Sequence, residues 1–334
     1  MSATNKSSLT RIGYGVGLGF LFLAKAFSAS GAALSAGEPI LLENTKGNFD
    51  FIRIDPAKRR LLLAHTGNKT LDVFDLESRR LLKSVTTGAA QDSAVDSKNG
   101  RYYASVSAPP RMSIIDSTTL EVTGEVTLPA AADLMTFNRA NGRAYVCNDE
   151  AGELWVIDPE SKKILSTITL AGKGMEDLVF DSRNKHLFQV VKGANMLAVI
   201  DPSNNKVLES WTTAPATNPH GMALVPDTDN LLVAGGGGKL VLINGSTGKL
   251  LASADIASRV DEMAYDPELR TAYCGSSQNK ISVVRVGADK LNALEDVSTP
   301  AGAKSIVVDL KTHTVWIAYS KGEQSFVQPF SPGK

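Results

Sequence analysis

The chain has 334 residues, with 35 basic and 35 acidic side chains, and 43% of its residues are hydrophobic. A formal net charge of zero excludes the basic surface with which proteins usually hold nucleic acid or anionic membranes. Length alone would allow two domains, but a single all-β domain routinely exceeds 200 residues, and the apolar content is that of an ordinary globular chain.

Lys6 and Arg11 form a short basic stretch ahead of Ile12–Ala24, thirteen residues without a charge, which Lys25 ends. A membrane-spanning helix needs about 20 apolar residues, so this run is too short to be one. Small residues follow from Ser28 to Gly37. The pattern predicts a secretory signal over residues 1–36, cleaved near 30–36 after Ser30 or Ala33. An uncleaved signal anchor is the alternative. Either places the rest of the chain in the periplasm or outside the cell, and cleavage leaves nothing inserted in the membrane.

From Gly37 onward the sequence repeats. An Asp or Asn closes an apolar run at Asp75, Asp116, Asp158, Asp201 and Asn244, at gaps of 41, 42, 43 and 43 residues. Each is followed by a polar turn and a second apolar run, as in DPESKKILSTI (Asp158–Ile168). Each unit holds four strand signals rich in β-branched and aromatic residues, separated by Asp-Pro, Asn-Gly and Asp-Ser turns. A period of 40–50 residues made of short strands marks the blades of a β-propeller. Seven first strands can be counted, from DFIRIDP (Asp50–Pro56) to KSIVVDLK (Lys304–Lys311), but the seventh unit lacks a fourth strand. EPILLENTKG (Glu38–Gly47) aligns with the fourth strand of other units. The prediction is an all-β, seven-bladed β-propeller over residues 37–334, its ring closed by an N-terminal strand that completes the last blade.

AYVCND followed by ELWVIDPESKKILSTI (Ala144–Ile168), and next LFQVVKGANMLAVIDPSNNKVLES (Leu187–Ser210), resemble the YVTN-type β-propeller repeat family. The resemblance extends over about Gly37–Lys334 and is looser in blades one, five and seven. It implies an exported protein. Relatives of the family include lactonase-like propellers and heavy subunits of quinoprotein dehydrogenases, but it offers no shared catalytic motif.

Chemistry-bearing motifs are few. There is no nucleophile elbow, no His-Glu-x-x-His, no Cys-x-x-Cys-His and no zinc-type Cys/His spacing. The expectation is therefore no haem and no nucleotide. Gly235–Lys239 (GGGGK) lacks the spacing of a phosphate loop and reads as a hairpin. Cys147 and Cys274 fall in blades three and six, too far apart to bridge, and read as buried free thiols. His65, His186 and His313 read as surface or loop residues, His186 and His313 on one face of the ring and His65 on the other.

One constellation stands out. The innermost strand of each blade lines the central channel, and the residues at its start are Asp50, Asp92, Asp133, Asp177, Gly221, Glu262 and Lys304, spaced by 42, 41, 44, 44, 41 and 42. Glu176, His220 and Asp261 stand beside them. Converging carboxylates repel one another, which raises their pKa values or calls for a cation. Oxygen-rich clusters suit Ca²⁺ or Mg²⁺, and equally an ammonium, a guanidinium or a Lys-bearing partner. The opposing reading is that each Asp accepts N–H bonds from its own turn in a watery channel.

From these residues the first expected function is a binding or scaffold protein whose acidic rim holds a small polar or cationic ligand, a divalent cation or a protein partner, with no catalytic residue assigned. The alternative is a lactonase-like metal-dependent hydrolase, with His220 between Glu176 and Asp261 as its base, or a subunit of a periplasmic redox complex.

Overall fold

In the computed structural model, which describes residues 1 and 33–333, seven antiparallel sheets form a ring. The expected signal segment lies almost wholly outside the described residues. Blade one runs from its inner strand Ile52–Asp55 to its outer strand Arg80–Thr86, and blade two from Ala90–Asp96 to Val122–Thr127. Blades three to six begin at Met135–Asn138, Met175–Asp181, Pro219–Val225 and Val260–Asp266. Blade seven begins at Ser305–Asp309 and ends on the long strand Gln324–Pro332.

The ring closes as the sequence predicts. Ile40–Leu42 pairs antiparallel with Ser325–Val327, in the place of a fourth strand. A second segment, Leu34–Ala36, pairs with Phe330–Pro332 further along the same strand. The sheet that ends the chain therefore begins with its N-terminal residues, and its edge is covered rather than left as a template for aggregation. Among the described residues, no helix is long and apolar enough to cross a membrane.

The repeat aspartates explain the turns. Asp116 Oδ1 accepts the N–H groups of Thr118 and Thr119 at 2.8 and 2.7 Å, and Asp201 Oδ1 accepts that of Ser203 at 2.8 Å. A short carboxylate that bonds its own backbone two or three residues on fixes a tight turn. The same device ends the inner strands, where Asp55 Oδ1 accepts from Ala57 and Lys58.

The core lies between the faces of neighbouring blades. Tyr145, Cys147 and Leu154 of blade three pack with Leu178, Leu187 and Ile200 of blade four. Cys147 and Cys274 are both buried and unpaired, and burial pushes the Cys274 thiol up to about 12. Gly235–Lys239 is the expected hairpin, joining Asn230–Gly235 to Lys239–Asn244.

One expectation fails. His65 is fully buried rather than at the surface. Its Nδ1 lies 2.7 Å from Asp72 Oδ2, its Nε2 donates to the Gly47 carbonyl at 3.0 Å, and the ring stacks on Phe49 at 3.9 Å. Ser325 Oγ is 3.1 Å from Nε2. The imidazole thus ties blade one to the closing strand of blade seven and to the N-terminal loop. The local sequence shows none of this, because Asp72 is the only partner near it.

Candidate functional site

The inner strands of blades two, four, five and six carry a register shift near their start. Such a bulge re-aims a side chain. In blades two, four and six the re-aimed residue is an acid, and it reaches the next blade. Asp92 Oδ2 accepts the Met135 N–H at 3.1 Å, Asp177 Oδ2 that of Met222 at 3.1 Å, and Glu262 Oε2 that of Ile306 at 2.7 Å. In blade five the corresponding residue is Gly221, where a Cβ would stand 2.7 Å from the Met263 nitrogen. Two of the acids also accept their own backbone, Asp92 from Ser93 and Asp177 from Leu178. These three carboxylates staple blade to blade.

Arg53 of blade one occupies the middle of the channel. Its Nε and Nη2 donate to Asp92 Oδ1 and Oδ2, both at 2.8 Å, and Nη2 also reaches Asp177 Oδ1 at 3.2 Å. Its guanidinium lies over the Phe51 ring at 5.0 Å. Glu262, the third staple, is only 2% exposed, and its Oε1 has no hydrogen-bond partner. Burial raises its pKa well above the ordinary carboxylate range, against the opposing pull of Arg53.

Above this layer the remaining residues of the predicted rim gather at one mouth. Lys304 lies 2.5 Å from Asp261 and 3.6 Å from Asp50. Lys192 pairs with Glu176, whose Oε1 is 3.6 Å from His220 Nε2. His220 Nδ1 donates to the Asn218 carbonyl at 2.8 Å. Burial pushes the Asp50 carboxyl up to about 7, with Lys304 opposing and Asp261 adding to the rise. Burial, then Asp50 and Glu176, hold Asp133 well above its ordinary value. All nine predicted residues therefore belong to one channel, but in two layers with different roles. Among the described residues, no group of three His, Cys, Asp or Glu side chains is placed to hold a metal ion.

Beyond Arg53 the channel changes character. A basin of about 730 Å³ opens at the far ends of the inner strands, within the usual range of ligand pockets. Its walls include Val95, Phe137, Val179, Phe180 and Leu224, with Arg53 and Arg139 as its cations. Met135 also borders it, but its side chain is 2% exposed and packed in the core between blades two and three. Arg53 Nη1 makes no hydrogen bond among the described residues, and Arg139 forms no ion pair. Ser93 also lines the basin, and its buried hydroxyl has no partner.

Sequence reasoning missed this basin. In FIRID, Arg53 reads as one more polar residue of an alternating strand, and its partners lie 39 and 124 positions away. The one available signal was a charge inside an innermost strand, where solvation is poor.

The model of the cytochrome D1 heme domain matches residues 44–228, which is more than half of the chain. The chain belongs to the cytochrome D1 heme domain family. This membership overturns the expectation of no haem, which rested on the missing Cys-x-x-Cys-His, a signature of covalent attachment only. No curated protein sequence matches. Three solved structures share the architecture. The RRP9 WD40 repeats align at TM-score 0.78 and 12% identity, over 91% of this chain and 100% of theirs. U3-55K aligns at 0.75 and 11%, over 87% and 98%. Hydrazine synthase from Kuenenia stuttgartiensis aligns at 0.73 and 15%, over 86% and 98%. At such identities these likenesses establish the propeller fold alone.

Proposed function

We propose that the basin holds a haem-type tetrapyrrole and that the chain is the cofactor-bearing propeller of an exported redox assembly. The observation that carries this reading is one of placement. Every residue lining the basin except Val307 falls within the stretch that matches the cytochrome D1 heme domain.

The side chains suit such a group. The aromatic and aliphatic walls match the apolar faces of a macrocycle. Arg139 at the edge and Arg53 Nη1 at the floor would take its peripheral carboxylates as charge-assisted hydrogen bonds. The unpartnered Ser93 hydroxyl would gain a partner. The imidazole of His220 stands at the opposite mouth, beside Lys192 and Asp261. When bound, a tetrapyrrole supplies one-electron chemistry that no side chain of the channel provides. The protein's own part is to exclude water, to orient the group through Arg53 and Arg139, and to hold Arg53 rigid through Asp92 and Asp177.

Titration of the purified chain with hemin, followed at the Soret band, tests this. Saturable one-to-one binding is expected, weakened at least about tenfold by Arg139→Glu, an exposed change that spares the fold. Absence of saturable binding overturns the proposal. Binding lost in His220→Ala but retained in Arg139→Glu overturns the choice of mouth.

A further inference from the structure

At the mouth opposite the basin, cations and acids do not match in number. Five acids (Asp50, Asp133, Asp149, Glu176 and Asp261) face three cations: Lys304 is shared by Asp261 and Asp50, Lys192 is bonded to Glu176 and acts on Asp149 and Asp133 only electrostatically, and Arg259 forms no ion pair among the described residues. Asp133 makes no side-chain hydrogen bond or ion pair among the described residues. Asp149, beside it in blade three, forms no ion pair there and has a buried Oδ1 without a partner. Below them the Glu262 side chain, 2% exposed, buries a second such oxygen, Oε1.

The stapling layer sharpens the point. Asp92 and Asp177 each receive a guanidinium hydrogen bond from Arg53, whereas Glu262, at the same place in its blade, receives none. A buried carboxylate oxygen without a donor is costly. The missing partner must donate hydrogen bonds, carry positive charge and be slender enough to pass the mouth. A compact metal ion is a poor match, because no three carboxylates are grouped to ligate one among the described residues. An alkylammonium fits all three demands, with three donors on a tetrahedral head. Two such heads on one chain would serve the Asp133–Asp149 side and Glu262 together.

We infer that this mouth is a binding site for a linear alkyl polyammonium ion, with Asp133 and Glu262 as its anchoring carboxylates. The site is separate from the basin and does not depend on a tetrapyrrole there.

The probe is spermidine, titrated into the full chain by calorimetry and by thermal melting, with sodium chloride at matched ionic strength as the control. A lysine-rich peptide forms a second arm, because a partner protein could present the same ammonium. Spermidine at a hundredfold over Kd should raise the melting temperature by a few degrees beyond the salt control. Asp133→Asn, which breaks no bond, and Glu262→Gln, which keeps the acceptor for Ile306, should each weaken binding at least tenfold. Binding of the peptide alone, with the same dependence on both residues, would keep the site and assign its ligand to a protein partner. A shift no larger than that from salt overturns the inference. So does binding that both variants leave intact.

Discussion

Asp133 carries a carboxylate that burial and the neighbouring acids, Asp50 and Glu176 foremost, hold well above the usual range, with no cation bonded to it among the described residues. A folded-state value above the unfolded 3.8 means the group favours the folded state only while protonated. Its contribution is whole below the unfolded value and is lost as pH rises through the folded one. Asp133→Asn should therefore leave stability nearly unchanged at pH 4 and raise it by at least about 1 kcal/mol at pH 8. Urea unfolding at the two pH values checks this, and an equal effect at both would show that Asp133 is solvated. The place of Asp133 at the mouth was legible in the sequence, because a repeat of about 42 residues puts every inner-strand start in register. Its lack of a partner was not legible. That depends on where Lys192 and Lys304 turn, and side-chain direction across a channel leaves no trace in spacing.

Among the elements, the N-terminal strand Ile40–Leu42 separates fold from surface in three residues. Leu42 is fully buried with Phe49, Trp316 and Val327, whereas Leu41, on the other face, is 42% exposed. If this strand closes the ring, Leu42→Ala should cost about 2–5 kcal/mol, as deletion of a buried leucine does. Leu41→Ala should fall within about 0.5 kcal/mol of the parent. Chemical denaturation that finds both silent would mean the strand is dispensable. The missing fourth strand of blade seven could be read from the sequence, since counting strands is arithmetic on a repeat. The extra pairing of Leu34–Ala36 could not, because that segment has no counterpart in any other blade. His65 escaped for a related reason. A lone histidine at a strand end looks solvent-facing until Gly47 and Ser325 arrive from the two ends of the chain.

Across the whole molecule, two populations of carboxylates pull stability in opposite directions with pH. Turn aspartates such as Asp75, Asp158 and Asp201 are held below 3.8, chiefly through hydrogen bonds from their own turns. They contribute above that value and lose their contribution on acidification. The channel acids Asp50, Asp133, Glu176, Asp177 and Glu262 are raised and contribute only while protonated. His313, raised by Asp266 beside it, likewise loses its contribution as pH rises above its folded value. Melting temperature should thus peak between about pH 4 and 6 and decline through pH 7, where Asp50 titrates. A profile that climbs steadily to pH 8 would contradict the buried channel charges.

The staples of blades two, four and six have a further consequence that is a matter of parity. An alternating pattern closes on itself only in a ring with an even number of members, and this ring has seven. Somewhere two unstapled blades must meet, and they are blades seven and one, where the chain's ends also come together. The defect is bridged by different means: Arg59 grips both carboxylate oxygens of Asp309 at 2.5 Å, and Ser305 Oγ donates to the Asp50 carbonyl at 2.5 Å. The frustration of an odd circle is thus parked at the one joint that has to be made last. A propeller of this design can be lengthened or shortened by a pair of blades with the single mismatch kept at its clamp, whereas one blade added at that joint with an acid of its own would make the ring even and leave no mismatch to bridge.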